Sequence, residues 1–172
     1  MKQRTASLPG TALRHAASRA AAPGTPSRLH LIIAQAHKHA GLPARATLRR
    51  WVAMALETDA ELSLVFVDAR AGRRLNREYR QRDYPTNVLT FAYQEQPRVL
   101  ADIVLCVPVL RREARAGGKP LREHLAHLVF HGVLHAQGYD HENLADAHRM
   151  QERERALLAR LRIADPYQNA AE

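Results

Sequence analysis

The chain has 172 residues, of which 46% are hydrophobic and 25% are charged, the size and composition of a single soluble globular domain. No apolar run reaches the roughly 20 residues that cross a bilayer, and the one cysteine, Cys106, excludes an internal disulfide, so we expect a cytoplasmic protein without a membrane partner. The formal charge of +9 comes from the first 56 residues, which hold nine basic and no acidic side chains, and it favours an anionic partner such as a nucleic acid.

Residues 1–27 are rich in Ala, Ser, Pro and Arg, contain no acidic residue and show no apolar periodicity. This composition predicts a disordered basic tail, and it is also typical of an organellar transit peptide. We expect the tail to carry no chemistry, and we interpret residues 28–172 as one domain.

The rest of the chain divides into strand segments and helical segments. In chain order they are a strand at 28–35, a helix at 44–57, a strand at 61–68, a helix at 69–79, strands at 88–93 and 100–107, and helices at 108–118, 121–137 and 143–163. The helices repeat apolar residues three or four apart, whereas the strands alternate or are continuously apolar. Residues 94–98 are interpreted as a hairpin-like loop. Because strands and helices are partly segregated, we predict a single-domain α+β fold with a mixed sheet of about four strands packed with helices.

The segment from His127 to His148 contains a metal-ligand pattern. His131 and His135 lie four residues apart on the predicted helix 121–137, so their rings project from one face. Gly138 then ends the helix, and the chain can return His141 towards the same place. Three imidazole nitrogens with an open fourth position are typical of a catalytic zinc. We therefore predict a zinc site at the end of this helix.

His127 offers a competing pair, because it also lies four residues from His131. His141 returns near the C-terminal end of the helix, so the pair nearer that end, His131 and His135, is favoured. We interpret His127 and His124 as packed histidines, since a lone histidine on an apolar helix is more often a satisfied core residue than a ligand.

The spacing His-x-x-x-His-x-x-Gly-x-x-His is also that of metzincin peptidases, in which a Glu directly after the first His is the general base. Here that position is Gly132, which has no side chain to carry a proton. A metal ion can still polarise a phosphoryl oxygen, and phosphodiester chemistry depends more on positive charge than on a dedicated base. The residues therefore favour an anionic substrate, with a zinc peptidase or amidase as the alternative.

Three stretches of the sequence are similar to a known family. They are HGVLHAQGYDH at 131–141, LNREYRQRDYPTNVLTF at 75–91, and LADIVLCV at 100–107 followed by EARAGGKPLREHLAHLVFHG at 113–132. Over about residues 62–167 the sequence resembles the YbeY family of bacterial endoribonucleases and rRNA maturation factors.

The resemblance implies that residues 28–172 form a single-strand-specific, metal-dependent endoribonuclease acting on the 3′ end of small-subunit rRNA and in ribosome quality control. It also implies zinc held by His131, His135 and His141, and a functional arginine at Arg80. The expected partners are ribosomal RNA and the small ribosomal subunit in the cytoplasm, and no DNA partner is expected. A non-enzymatic ribosome-assembly factor with a structural metal is the remaining alternative.

Arg80 also has a physical interpretation that is independent of the family. It follows a basic stripe on the predicted helix 69–79, formed by Arg70, Arg73, Arg74 and Arg77. Arginine is permanently charged and forms paired hydrogen bonds to phosphate oxygens. We predict that Arg80 holds the scissile phosphate and stabilises transition-state charge, whereas the stripe residues are individually interpreted as a solvated face.

Two carboxylates are candidates for orienting a ligand ring. Asp140 directly precedes His141, and Asp102 lies on the apolar strand 100–107, where a buried charge needs a partner. A helix cap or a turn hydrogen bond is an equal interpretation of Asp140. Cys106 is predicted to be a packed structural thiol, and the helix at 143–163 a packing helix.

Overall fold

The computed structural model describes residues 28–141 and 143–167. Its strands and α-helices, in chain order, are β1 (Leu29–Ala34), α1 (Arg45–Ala55), β2 (Ala60–Val67), α2 (Ala69–Arg80), β3 (Val88–Gln94), β4 (Val99–Cys106), α3 (Val107–Ala116), α4 (Leu121–Ala136) and α5 (Leu144–Arg160). The predicted α+β fold is confirmed, and the tail predicted for residues 1–27 lies outside the described residues. Within the described ranges, no helix is both long and apolar enough to cross a bilayer.

The strands form a four-stranded sheet in the order β1–β2–β4–β3. β1, β2 and β4 run parallel, whereas β3 pairs antiparallel with β4. The predicted mixed sheet and the hairpin-like loop between β3 and β4 are therefore confirmed. The register aligns Ile33, Leu64, Ile103 and Thr90 in one row across all four strands.

The two faces of the sheet are covered by different helices. The main core lies on one face, where α1 and α4 pack and Trp51, Phe66 and Phe130 are fully buried. On the opposite face, α2 packs Leu75 against Leu89. α4 contacts α1, α3, α5, β3 and β4, and a helix surrounded in this way has to be apolar on nearly all sides.

Gly132 brings α4 unusually close to the sheet. A Cβ atom at this position would lie 2.7 Å from Ile103 Cγ2 and 3.3 Å from Thr90 Oγ1. The Thr90 hydroxyl donates a hydrogen bond of 3.4 Å to the Gly132 carbonyl oxygen. The absence of a side chain at Gly132 therefore sets the distance between the helix that bears the histidines and strands β3 and β4.

α2 begins at the predicted position, and the Asp68 side chain caps it by accepting a hydrogen bond of 2.8 Å from the Ala71 backbone N–H. Cys106, at the end of β4, packs against α2 at Gly72, where a Cβ atom would lie only 2.9 Å from the sulfur. Burial raises the pKa of the Cys106 thiol, which favours its neutral form. The prediction that Cys106 is a packed structural thiol is confirmed.

Candidate metal centre

Three histidines meet at the C-terminal end of α4. His131 and His135 leave one face of the helix, and His141 follows the turn after it. Each offers one ring nitrogen, and these nitrogens all lie within 4.8 Å of one another. A metal ion could be held by three or more His, Cys, Asp or Glu side chains that lie close together. Within residues 28–141 and 143–167, these three histidines form such a group. The structure thus brings together the three residues whose spacing suggested a metal site.

The turn after α4 has the geometry that returns His141 to the helix. Gly138 adopts a φ of +85°, a left-handed conformation that favours glycine. The Gly138 N–H donates to the His135 carbonyl, and the Tyr139 N–H donates to the Leu134 carbonyl, both at 3.1 Å. This pair of hydrogen bonds is a Schellman motif, which ends the helix and reverses the chain.

Contacts with α1 hold this turn in place. The Gln137 amide donates to the Ala55 carbonyl at 2.9 Å, and its oxygen accepts from the Glu57 backbone N–H at 2.8 Å. The Tyr139 hydroxyl donates to Glu57 Oε1 at 2.8 Å, and the Arg149 guanidinium lies 5.0 Å from the centre of the Tyr139 ring. The segment that presents His141 is therefore fixed to the C-terminal end of α1 and to α5.

The three rings are close enough to influence one another. Ring centroids are 4.5 Å apart for His131 and His135, 5.0 Å for His135 and His141, and 6.0 Å for His131 and His141. Burial, and then the neighbouring rings of His131 and His141, lower the pKa of His135 to about 4. His135 is therefore neutral at pH 7, and the neutral imidazole is the form that binds a metal ion.

Glu154 contacts the histidine cluster and was not predicted from the sequence. It lies on α5, is fully buried, and accepts a hydrogen bond of 2.8 Å from His131 Nδ1 on Oε1. Its other oxygen, Oε2, accepts a hydrogen bond from the Tyr167 hydroxyl and lies 3.5 Å from His127 Nε2. Because Nδ1 of His131 is used in this way, Nε2 is the nitrogen that remains for a metal ion.

Glu154 is ionised despite its burial. Burial alone would raise the pKa of this carboxyl, but hydrogen bonds from His127, His131 and Tyr167 outweigh that effect and lower the pKa to about 2. The Tyr167 hydroxyl shows the complementary change, since burial and the hydrogen bond to Glu154 raise its pKa. A negative charge is thus held behind the His131 ring.

The sequence contains one signal that identifies Glu154. The buried residues of α5 are Met150, Glu154, Leu157 and Leu158, so the acid occupies a position in the apolar stripe of an otherwise amphipathic helix. The prediction of a packing helix is confirmed for the leucines, but it overlooked an acidic side chain on the buried face. Acids are almost never fully buried without a partner.

The two carboxylates chosen from the sequence have other partners. Asp140 Oδ1 accepts a hydrogen bond of 2.7 Å from the backbone N–H of His141. Asp102 Oδ2 accepts from the Tyr93 hydroxyl at 2.8 Å. Its neighbours on β4, Ala101 and Ile103, face the main core, so Asp102 faces the opposite side of the sheet. Asp140 thus lies beside a ligand candidate, whereas Asp102 does not lie on the face that packs against α4.

Arg80 is the last residue of α2 and remains exposed. Although the residue as a whole is exposed, neighbouring protein atoms partly desolvate its guanidinium group and lower its pKa, and the group stays charged at any working pH. Two arginines of the basic stripe, Arg73 and Arg77, lie 2.6 Å and 3.8 Å from Asp83. Arg80 has no ion-pair partner in the part of the chain that the structure describes, which leaves its charge for a ligand.

The other two histidines of α4 lie outside the cluster, as predicted. His124 Nε2 is 2.8 Å from Glu113 Oε2. His127 Nε2 is 3.4 Å from the Tyr167 hydroxyl, and its ring centroid lies 6.4 Å from that of His131. His127 is therefore part of the surroundings of Glu154.

Comparison with known proteins gives a consistent result. A family model described as Endoribonuclease YbeY matches residues 34–162. A protein of that name from Delftia acidovorans is 52% identical over 135 residues, covering 78% of this chain and 89% of the relative. One from Thiobacillus denitrificans is 57% identical over 128 residues, covering 73% and 87%. One from Cupriavidus necator is 53% identical over 151 residues, covering 85% and 76%.

The fold is also similar to a solved structure. A protein from Thermotoga maritima, determined in solution, superposes with a TM-score of 0.52 over 81% of this chain and 99% of that protein. The two sequences are 24% identical, so this likeness concerns the fold alone.

Proposed function

The chain belongs to the YbeY endoribonuclease family, and from this premise we propose that it is a metal-dependent endoribonuclease that cleaves single-stranded RNA during maturation of ribosomal RNA. The observation that carries the proposal is the convergence of three imidazole nitrogens within 4.8 Å at the end of α4. The relatives' name supports RNA as the substrate, and the geometry supports metal dependence.

We assign the metal ligands to His131, His135 and His141, and the metal to zinc. Three imidazoles are a common ligand set for catalytic zinc, although Fe, Ni and Cu also accept imidazole. The residues fit such an ion, because His135 is held neutral and the contact between His131 Nδ1 and Glu154 leaves Nε2 as the nitrogen available to a metal. A bound ion supplies Lewis-acid polarisation of a phosphoryl oxygen.

Arg80 has the role of binding the scissile phosphate. Its guanidinium group offers several donors in a rigid fork that matches two phosphate oxygens. Its unpaired charge at the end of α2 stabilises the negative charge that develops as the phosphodiester bond breaks. The chain cuts either with water or with the RNA's own 2′-hydroxyl as the nucleophile, and the product ends distinguish the two. A 2′,3′-cyclic phosphate shows attack by the ribose, whereas a 5′-phosphate shows attack by water.

The peptidase alternative is disfavoured by the packing around Gly132. In that reaction the residue after the first histidine supplies a carboxylate as the base. Gly132 is buried against Ile103 and Thr90, where even a Cβ atom would lie 2.7 Å from the nearest side-chain atom. The chain therefore has no base at this position and no room for one.

The small ribosomal subunit is the proposed partner, and the 3′ end of its RNA is the proposed site of cleavage. The proposed location is the cytoplasm, where that RNA is processed. Cleavage of precursor small-subunit RNA, compared with mature RNA and with DNA of the same sequence, tests this assignment. Equal cleavage of RNA and DNA would contradict it.

Arg80→Ala tests the proposed function at the phosphate. We expect its cleavage rate on single-stranded RNA to fall by about 100-fold or more, because a donor to the developing charge is lost. The zinc content should remain that of the wild type. Arg74→Ala is the matched control, since Arg74 is an exposed arginine on the same helix, and it should cleave at nearly the wild-type rate. Unchanged cleavage by Arg80→Ala would refute the phosphate role.

A further inference from the structure

We propose that Glu154 is the positioning residue of the metal centre, holding the His131 ring so that its Nε2 atom faces the other two histidines. This inference rests on the proposed metal site, but it does not depend on which substrate the protein cleaves. Glu154 lies on α5, 23 residues after His131 in the chain, and its contact with the three histidines is the one with His131 Nδ1.

The carboxylate of Glu154 fixes the tautomer of His131. A carboxylate only accepts hydrogen bonds, so the 2.8 Å contact requires the proton of the neutral His131 ring to lie on Nδ1. The lone pair is then on Nε2. In isolated histidine both tautomers are accessible, so this contact selects the one that suits the metal. The negative charge also makes the ring a stronger electron-pair donor.

Both oxygens of Glu154 are used, which fixes the carboxylate itself. Oε1 faces His131, and Oε2 faces the Tyr167 hydroxyl and His127 Nε2. The carboxylate therefore cannot rotate without breaking a contact on one side or the other. Tyr167 and His127 support the centre without touching the metal ligands' free nitrogens.

A purely structural role does not explain an acid at this position. The other buried residues of the same α5 stripe are apolar: Met150, Leu157 and Leu158. An apolar side chain at position 154 would pack against them without the cost of burying a charge. Glu154 instead accepts a hydrogen bond from His131, a candidate metal ligand. In metal sites, a carboxylate that accepts the N–H of a ligating histidine in this way orients the ring.

The test compares zinc affinity and tautomer in full-length wild type, Glu154→Gln and Glu152→Gln. Glu152 is the matched control, because it is an exposed acid on the same helix. Zinc affinity is measured by competition with a chromophoric chelator, and the His131 tautomer by nitrogen NMR of the metal-free protein. We expect Glu154→Gln to lose about 10- to 100-fold in zinc affinity and to shift His131 towards the Nε2–H tautomer. Glu152→Gln should match the wild type in both measurements.

Wild-type zinc affinity and an unchanged tautomer in Glu154→Gln would overturn the proposal, even if that variant melted at a lower temperature. If Glu154→Gln does not fold, Tyr167→Phe provides the same test, because it removes a donor to Oε2 and leaves all three histidines intact. We expect a smaller, several-fold loss of zinc affinity, and no loss would overturn the proposal. A wild type that binds zinc but cleaves no RNA would contradict the proposed function and leave the role of Glu154 supported.

Discussion

Single residues determine how close α4 comes to the sheet and how sharply it ends. Gly132 allows the helix backbone to lie against Ile103 and Thr90, and Gly138 provides the left-handed turn that returns His141. Neither glycine has a side chain that could take part in chemistry. Both act by placing the three histidines, so their substitution should alter stability or metal binding first and cleavage only as a consequence.

Gly132→Ala should lower the free energy of unfolding by about 1–3 kcal/mol, because the added Cβ overpacks the contact with Ile103. Urea denaturation of the metal-free protein measures this change. Gly117→Ala is the control, since a Cβ atom there lies at an ordinary 3.4 Å from its nearest neighbour and φ is negative. A Gly132→Ala variant as stable as the wild type would show that α4 does not pack as closely as described.

His131, His135 and His141 could be predicted from the sequence because they lie close together in the chain, on one helix and the turn that follows it. Local spacing is visible in sequence, whereas a contact between two helices is not. Glu154 is separated from His131 by the whole turn and part of α5, and only the packing of α5 on α4 brings them together. The same limit explains why Asp102 was a candidate, since its place on an apolar strand is visible in sequence, whereas its partial exposure and the face of the sheet it occupies are not.

Helices were predicted well where apolar residues repeat regularly and a helix-ending residue follows. The helix predicted at 121–137 spans Leu121–Ala136, and the helix predicted at 69–79 spans Ala69–Arg80. The order of the strands could not be predicted, because parallel neighbours β2 and β4 are separated by α2 and β3. Strand order depends on which faces become buried together, which is a property of the whole fold.

The turn between α4 and α5 is the element on which the third ligand depends. Gln137→Ala removes hydrogen bonds to Ala55 and Glu57 and leaves their backbone groups without this partner. We expect a loss of about 1–3 kcal/mol in the free energy of unfolding. Zinc affinity should also fall several-fold, because the segment that carries His141 loses its attachment to α1.

Urea denaturation and chelator competition measure the two effects of Gln137→Ala. Gln151→Ala, at a partly exposed glutamine on α5, is the control and should change neither quantity appreciably. A Gln137→Ala variant that lost stability but kept full zinc affinity would show that His141 is positioned independently of α1.

At the scale of the whole molecule, some basic side chains stabilise the fold, and others are available to bind the proposed substrate. Arg45 and Arg49 belong to the basic N-terminal third, yet they donate hydrogen bonds of 2.9 Å to the carbonyls of Ile33 and Leu29 on β1. These contacts cover carbonyl groups of a strand at the edge of the sheet. Net charge in the sequence therefore overstates the number of side chains that are free to bind RNA.

Binding of single-stranded RNA should weaken as salt rises, because bound arginines release counterions from the phosphates. Fluorescence anisotropy with a labelled RNA, at salt concentrations from about 50 to about 200 mM, measures the slope of the logarithm of the binding constant against the logarithm of the salt concentration. Arg80→Ala should reduce the logarithmic slope by about 0.7, the value for one phosphate contact on a single strand. Arg73→Ala should reduce it less, since Arg73 is paired with Asp83. A binding constant independent of salt would contradict electrostatic recognition.

The most direct measurement is the rate of RNA cleavage by the untagged protein before chelation, after chelation and after zinc is returned, with metal content and circular dichroism recorded at each stage. We predict one metal ion per chain, loss of cleavage on chelation with the helical signal retained, and recovery of cleavage with zinc. A metal-free, folded protein that cleaves RNA at the original rate would contradict the account, because the three histidines would then have no part in the reaction.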